Sequence, residues 1–216
     1  MSEQLVTPVL RALSLLEWLV AGGAVDNLSE AARETGINRA TLARLLATFE
    51  AGGVLTRGAD GRVEFGTRMV RIAAGVLGDS DLISAAQSVL PRLAGELGLT
   101  AHLVTLDGGE VVFLQQHLPQ TALVSRIGVG SRVAALDVAP GRVLLGLAPA
   151  DGIEWSRSGL ETGVGAAATG VARGPGGTDL VAAISVAGPQ WAVDEVADRV
   201  PEALRTAAEA IGARLR

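Results

Sequence analysis

Arginine and small side chains share one helical face in the stretch 28–55, LSEAARETGINRATLARLLATFEAGGVL. Within it, Arg44 lies among alanines, and Arg39 and Thr41 lie at the N-terminal end of the same run. Small side chains let a helix approach the floor of a DNA major groove, where one arginine can bond guanine O6 and N7 together. This spacing therefore predicts contacts with DNA bases.

The candidate DNA contacts extend over two helices and a turn. The Thr41 methyl can touch thymine C5-methyl groups, and the Ser29 hydroxyl and the helix N-terminal amides can hold phosphates. Arg57 and Arg62 flank the next turn and suit the backbone or the minor groove. The predicted set is Ser29, Asn38, Arg39, Ala40, Thr41, Ala43, Arg44, Arg57 and Arg62. The alternative is a packing module whose arginines are simply solvated.

Charge favours an anionic partner for one segment only. The net charge is −5, and all 18 basic residues are arginine. Residues 38–71 hold six arginines against three acids, whereas the chain from residue 73 onward holds ten against fifteen. Because local positive charge is what attracts phosphate, we expect nucleic-acid binding in the N-terminal third.

Three predicted helices position this face. Thr7, followed by Pro8, is expected to cap the first; Ser29 is expected to cap the second, which ends at Gly36; Asn38 caps the third. The apolar row of the first comprises Leu10, Leu13, Leu16 and Val20, and that of the third comprises Leu42, Leu45, Leu46 and Phe49. Their helical spacing predicts that these rows are buried.

The helical period gives way to alternation after the third helix. VLTR and RVEF flank the turn 58–61, and Asp-Gly between alternating runs indicates a β-hairpin. Three helices and a hairpin predict a winged helix-turn-helix domain over residues 1–66. A new helical pattern over 67–80 predicts a linker helix.

Residues 81–216 are predicted to form one mixed domain. Helices are expected over 82–97 (kinked or restarted at Pro91), 141–147 and 201–215. Strands are expected over 101–106, 111–117, 122–127, 164–171 and 180–187. Hairpin-linked strands mixed with helices are typical of an α+β domain built on one curved sheet.

The chain lacks the groups on which several enzyme classes depend. It has no cysteine and no P-loop, GxSxG or HExxH motif. His102 and His117 are its two histidines, and without clustered carboxylates they predict no metal site. Charges interrupt the apolar runs, so we expect neither a membrane span nor a signal peptide, and a cytoplasmic location. We predict a protein that is not an enzyme and needs no cofactor.

Several longer strings, in their order, resemble the IclR family of bacterial transcription regulators. They are LSEAARETGINRATLARLLATFEAGGVLTRGADGRVEFGTRMVRIA, LAGELGLTAHLVTLDGGEVVFLQQ, RIGVGSRVAALDVAPGRVLLG and LVAAISVAGP. The resemblance implies an α+β chain whose N-terminal winged helix-turn-helix domain is joined by a linker helix to a GAF-like α/β effector-binding and oligomerisation domain. It also implies homodimers, or dimers of dimers, that repress or activate from palindromic operators in double-stranded DNA.

The resemblance assigns roles to individual residues. The family's recognition helix corresponds to residues 38–49, which gives Arg39, Thr41 and Arg44 base and phosphate contacts. Its pocket for a small carboxylate or aromatic effector corresponds to residues 130–141 and the last two strands. The implied effector-binding set is His102, Gly130, Leu136, Asp137, Ala139, Gly141, Ala166, Ala183 and Ser185. On the final strand, alternation places Ala183, Ser185 and Ala187 on the face expected to meet the effector, opposite Ala182, Ile184 and Val186.

Two departures from the family keep three functions open. Leu136-Asp137-Val138 stands where the family has a His-Ala-Thr run, and the stretch between 147 and 160 is several tens of residues shorter than usual. The first function is an effector-controlled DNA-binding regulator. The second is a regulator with a vestigial, ligand-free C-terminal domain, and the third is a small-molecule enzyme with an accessory winged helix.

Overall fold

The chain mixes helix and sheet and divides into two compact units, Met1–Val76 and Leu77–Arg216. The computed structural model describes residues 5–78, 80–120, 127–157, 162–174 and 177–215. The predicted strand over 122–127 lies outside these ranges except for its last residue. No helix within them is both long and apolar enough to cross a bilayer. The domain limits at 66 and 80 stay predictions.

Three helices enclose the core of the first unit. They are α1 (Thr7–Val20), α2 (Leu28–Thr35) and α3 (Arg39–Ala51). Leu42 and Leu46 of α3 are 0% and 4% exposed, and Leu45 and Phe49 pack half-buried against the same core. The fold therefore buries the apolar row predicted for α3.

One of the two predicted caps in the helix-turn-helix is wrong. Asn27, not Ser29, caps α2, because the Asn27 Oδ1 accepts hydrogen bonds from the backbone N–H groups of Ser29 at 3.0 Å and Glu30 at 3.3 Å. The cap of α3 is as predicted, since the Asn38 Oδ1 accepts from the Thr41 N–H at 2.9 Å. Both caps satisfy amides that helix geometry leaves without intrahelical partners.

The expectations for α1 are mostly wrong. Thr7 is the first helical residue rather than the cap. Of the predicted apolar row only Leu16 is buried, together with Leu15, while Leu10, Leu13 and Val20 are 49%, 52% and 65% exposed. Because α1 is apolar on two sides, its periodicity did not reveal which side faces the domain's own core.

A short wing and a long exposed helix follow α3. Strands β1 (Leu55–Arg57) and β2 (Val63–Phe65) form the predicted hairpin with three antiparallel residue pairs. Leu55 is 1% exposed and anchors the start of the hairpin in the core. Helix α4 (Thr67–Gly78) follows the pattern predicted for the linker, and none of its residues is buried.

A six-stranded antiparallel sheet forms the centre of the second unit. Its strands are β3 (Thr100–Asp107), β4 (Glu110–His117), β5 (Arg132–Ala134), β6 (Glu154–Arg157), β7 (Val164–Ala172) and β8 (Leu180–Pro189). They lie in the order β5-β4-β3-β8-β7-β6. The four long strands match the prediction, whereas β5 and β6 were missed because three or four residues carry too little alternation.

Helices cover both faces of this sheet. They are α5 (Asp81–Ala86), α6 (Val89–Leu97), α7 (Ala139–Leu144), α8 (Gln190–Glu195) and α9 (Val200–Gly212). The larger core joins α6 and α9 to Leu103 and Ile184 on one face, and the smaller joins α7 to Val104 and Ala183 on the other. Alternation along β3 and β8 separates these two sets, as predicted for β8.

The predicted helix over 82–97 is two helices. The break between α5 and α6 comes before Pro91, which lies in the first turn of α6. Proline is tolerated there because the first amides of a helix have no intrahelical acceptor. The helix expected over 141–147 begins two residues earlier, as α7, and that expected over 201–215 is α9.

Candidate functional site

The outward face of α3 carries the central residues predicted to contact DNA. Ala40, Ala43 and Arg44 are exposed, and Thr41 is half-buried. The opposite side of the helix is held in the core by Leu42 and Leu46. A surface with short alanines and one long arginine has the profile that entry into a major groove requires.

The helix N-termini offer fewer phosphate sites than the sequence suggested. The N–H groups of Ser29 and Glu30 already bond to Asn27, so on α2 the exposed Ser29 hydroxyl is the group left for a phosphate. On α3, Asn38 occupies the Thr41 N–H. By helix geometry, the two amides before it have no partner inside α3, and they can accept a phosphate.

The four arginines predicted to contact DNA fall into two pairs. Across the described part of the chain, Arg39 and Arg44 make no side-chain hydrogen bond or ion pair. Arg57 instead lies 2.8 Å from a Glu50 carboxylate oxygen, and Arg62 lies 3.5 Å from Asp60. A phosphate would therefore meet two free guanidinium groups on α3 and two that already have partners on the wing.

The second candidate site lies on the α7 face of the sheet. Its predicted residues stand close together, because His102 on β3 and Ser185 on β8 are direct cross-strand partners. Ala183 occupies the same face of β8, and Ala166 on β7 pairs with Ala187. His102 and Ser185 are 1% and 3% exposed, so polar groups are buried among alanines here.

His102 is the buried titratable group of this face. Burial lowers the pKa of its imidazole to about 4, since imidazolium would lose its hydration there. The ring packs edge-on to Phe113 at a centroid distance of 5.2 Å. Its Nε2 lies 3.4 Å from the Gln116 amide nitrogen and accepts that bond when the ring proton is on Nδ1. Near neutral pH, His102 is therefore a neutral, orientable hydrogen-bonding group.

Two polar residues of this face were not predicted from the sequence. Thr100 pairs with Ala187, one row from His102, and is 0% exposed. Its hydroxyl has no hydrogen-bond partner within the described ranges. Gln116 pairs with His102 across β3 and β4. The period-2 rule could have found Thr100, because it lies two residues before His102.

The start of α7 borders the same face. Ala139 is 1% exposed and packs in one cluster with Ala183. Gly141 is also buried, and a Cβ at this position would collide with the Ala135 carbonyl. Gly141 thus lets α7 pack closely on the preceding 3₁₀ turn (Ala135–Asp137), a packing role in addition to the effector role predicted for it.

Three other predicted effector residues lie nearer the surface. Leu136 is 62% exposed, and Asp137 and Gly130 are exposed as well. The Gly130 N–H donates to the Phe113 carbonyl at 2.7 Å, which ties its loop to β4. The structure does not bring the Leu136 and Asp137 side chains into the buried cluster around His102.

Arg142 fixes the position of α7. Its Nε donates to a Glu154 carboxylate oxygen at 2.7 Å, and its other nitrogens donate to the carbonyls of Leu136 and Trp155. Both partners of the ion pair are mostly buried, with 24% and 14% of the side chains exposed. Arg142 therefore joins α7 to the 3₁₀ turn and to β6.

The two histidines occupy neighbouring strands, as predicted. His117 pairs with Ala101, the neighbour of His102, so the two side chains leave opposite faces of the sheet. Within the described residues, no three His, Asp or Glu side chains gather closely enough to hold one metal ion.

Models of one protein family match both units. The IclR helix-turn-helix domain matches residues 8–59, and the model described as "Bacterial transcriptional regulator IclR C-terminal" matches residues 74–162. Among curated proteins, the chain is 29% identical over 150 residues to the probable transcriptional regulator SauR of Cupriavidus necator. It is 32% identical over 161 residues to the p-hydroxybenzoate hydroxylase transcriptional activator of Acinetobacter baylyi.

These curated matches are partial. They cover 69% and 71% of this chain, and the chain spans 60% and 59% of the two relatives. Likeness to solved structures extends further along the chain. An IclR regulator from Alicyclobacillus acidocaldarius has a TM-score of 0.84 at 20% identity, with 97% of this chain and 99% of that one covered.

A second solved structure contains a ligand. It is an IclR homologue from Microbacterium hydrocarbonoxydans complexed with 4-hydroxybenzoate, with a TM-score of 0.81 at 21% identity. The match covers 97% of this chain and 99% of that one. These two likenesses show a shared fold. The two family models, which together match more than half of the chain, show that it belongs to the IclR family of transcriptional regulators.

Proposed function

We propose that the protein is a cytoplasmic, DNA-binding transcription regulator controlled by a small organic effector, and not an enzyme. The observation that carries the DNA half is the outward face of α3, where Arg39 and Arg44 have no competing partner in the described residues. Since the same helix is clamped by Leu42 and Leu46, these arginines project from a fixed support.

DNA binding is tested by selection from a library. The full-length protein is used to recover duplexes from a randomised DNA pool, and fluorescence anisotropy then compares a recovered duplex with a scrambled one. We expect a palindromic consensus with half-sites about 34 Å apart, because paired recognition helices enter successive major grooves. Equal affinity for recovered and scrambled duplexes would reject sequence-specific recognition.

The effector half of the proposal rests on the polar groups of the α7 face. Neutral His102, Ser185 and the Thr100 hydroxyl, which has no partner within the described residues, can meet the polar atoms of a small ligand, and their neighbours Ala183 and Ala187 have small side chains. The solved relative that contains 4-hydroxybenzoate suggests an aromatic carboxylate as the first probe. Binding there would change operator affinity through a coupling of about 1–3 kcal/mol.

A melting-temperature screen tests the effector half. Small aromatic and aliphatic carboxylates, with 4-hydroxybenzoate first, are added to the full-length protein and to its Ser185→Ala variant. A ligand present at about 100 times its Kd stabilises the folded state by about 2.7 kcal/mol, which raises the melting temperature. We expect a shift in the native protein that is smaller in the variant.

The same screen separates the two alternative functions. The stretch between residues 147 and 160, expected from sequence to be shorter than is usual in the family, favours a regulator with a vestigial pocket. This alternative predicts DNA binding with no melting shift from any compound. An enzyme predicts that a compound that shifts melting is also consumed, which mass spectrometry of the incubated mixture would detect.

A homodimer completes the proposal. Along α1 and the residue before it, Val6, Val9, Leu10 and Leu13 recur at i, i+3, i+4 and i+7 and are 49–62% exposed. An apolar row of helical spacing that the unit's own core does not cover is suited to the same row of a second copy, related by a two-fold axis. Two copies would present the paired recognition helices that a palindromic operator needs.

A further inference from the structure

Arg57 is bound within its own domain at both sides of its guanidinium. Its Nη2 lies 2.8 Å from Glu50 Oε1, and its Nη1 donates to the Gly61 carbonyl at 3.2 Å. Glu50 stands in the last turn of α3, and Gly61 stands in the wing turn. Arg57 thus connects the end of the recognition helix to the tip of the wing.

The Glu50 contact is electrostatic in character. Oε1 is buried from solvent and makes no hydrogen bond within the described residues, although its distance from Arg57 is that of an ion pair. The Arg57 side chain is 56% exposed. A pair this open adds at most about 1 kcal/mol to stability, so it does not hold the domain together.

An energy of this size is enough to affect the position of the wing. Its hairpin has only three residue pairs, and an isolated two-stranded hairpin is marginal in water. Leu55 secures the near end of the hairpin in the core, where it pairs with Phe65. The far end has no comparable anchor among the described residues, since Val63 there is only half-buried. Arg57 stands at this far end.

We propose that Arg57 is a positioning residue, which together with Glu50 holds the wing against α3 so that Arg62 meets DNA in register with Arg44. This inference rests on the proposed DNA-binding function. It differs from a direct contact of Arg57 with the DNA backbone or minor groove, the role predicted from sequence. We call the positioning role, in which Glu50 and Arg57 together hold the wing, a brace. The two roles make opposite predictions for Glu50, because its carboxylate is part of a brace but would compete with a DNA phosphate for Arg57 in a direct contact.

Affinity for a duplex recovered from the random library distinguishes the roles. For a brace, Glu50→Gln and Arg57→Gln each weaken binding about fivefold, about 1 kcal/mol, and the double variant is no weaker than either single one. The salt dependence stays that of the native protein. Glu64→Gln is the matched control, because it removes an exposed carboxylate from β2 of the same wing.

A direct contact gives a different pattern. Glu50→Gln would then bind as tightly as Glu64→Gln or more tightly, and Arg57→Gln would reduce the salt slope by about one. Either result would overturn the proposal.

Amide hydrogen exchange supplies a readout without DNA. The Gly58 N–H donates to the Arg62 carbonyl at 2.8 Å, and the Gly61 N–H donates to the Gly58 carbonyl at 3.0 Å. A brace predicts about fivefold faster exchange of both amides in Glu50→Gln than in Glu64→Gln. Unchanged exchange would overturn the inference even if DNA binding weakened. Failure of the native protein to select any duplex would instead reject the proposed function and leave this measurement to decide the brace.

Discussion

At the residue scale, arginines differ in whether their guanidinium groups already have a partner. This difference distinguishes candidate DNA contacts better than position on the surface does. Arg44 projects from the middle of α3 with no partner in the described residues, whereas Arg33 on α2 pairs with Glu30 at 3.3 Å. Both are exposed and carry the same charge. The surfaces around them also differ, since α3 presents an alanine-lined face and α2 does not.

Arg44→Ala is expected to weaken binding to the selected duplex by about 1–3 kcal/mol and to relax sequence preference at one position. The reason is the loss of a bidentate bond to a base edge. Anisotropy titrations with the selected duplex and its single-base variants measure both effects. Arg33→Ala serves as the control and should change neither. Native affinity and selectivity in Arg44→Ala would remove this residue from base recognition.

His102 is expected to make stability depend on pH. Its folded pKa of about 4 lies below the unfolded value of about 6.5, so only the unfolded chain takes up a proton between these values. The contribution of His102 to the free energy of unfolding is fully present above about pH 6.5 and is lost as the pH falls toward about 4. Between about pH 7 and about pH 5, the free energy of unfolding should drop by about 2 kcal/mol.

Urea unfolding at these two pH values measures the effect in the native protein and in two variants. His102→Gln should lose most of the drop, and His117→Gln should keep it, because His117 is exposed. The same pH dependence in all three proteins would show that other groups are responsible.

At the element scale, α3 was predictable and α1 was not. One side of α3 is apolar and the other is small or charged, so its period fixes both faces. On α1, apolar residues occupy two sides, and only the packed structure distinguishes Leu15 and Leu16 from the exposed Leu13. Local patterns predict an element, but the choice between two apolar faces depends on residues distant in sequence.

The candidate sites show the same division. Alternation alone placed Ser185 and Ala183 on one face of β8, but the pairing of Ser185 with His102 needed the sheet register. Asp107 and Glu110, at the turn between β3 and β4, both pair with Arg132 of β5, at 2.7 and 2.9 Å. These bonds raise the pKa of Arg132. They could not be predicted from local sequence patterns, because β5 itself was not predicted.

The cap of α2 can be tested directly. Asn27→Ala should lower the free energy of unfolding of the protein by about 1 kcal/mol, because two amides lose their acceptor. Ser29→Ala, the residue expected from sequence to be the cap, should change it by less than about 0.5 kcal/mol. Urea denaturation measures both. The reverse order of effects would restore Ser29 as the cap.

At the scale of the whole molecule, the proposed assembly depends on the uncovered apolar row of α1. Leu13→Glu places a charge in this row and should convert the proposed dimer to a monomer, because two carboxylates would meet without partners. Sedimentation velocity reports the mass. Leu147→Glu is the control, since Leu147 is 56% exposed on the second unit. A dimer that survives Leu13→Glu would place the interface elsewhere.

The uncovered state of α4 has a thermodynamic consequence. A single helix of twelve residues is marginal in water, and in α4 Val70, Ile72 and Val76 are 53–66% exposed. Whatever covers these side chains also supplies the free energy that keeps the helix wound. If a second copy covers them, the helix content of α4 depends on the protein concentration. Dilution of the protein should then lower its helical circular dichroism before either core melts. A signal that is constant across dilution would show that α4 is supported within one chain.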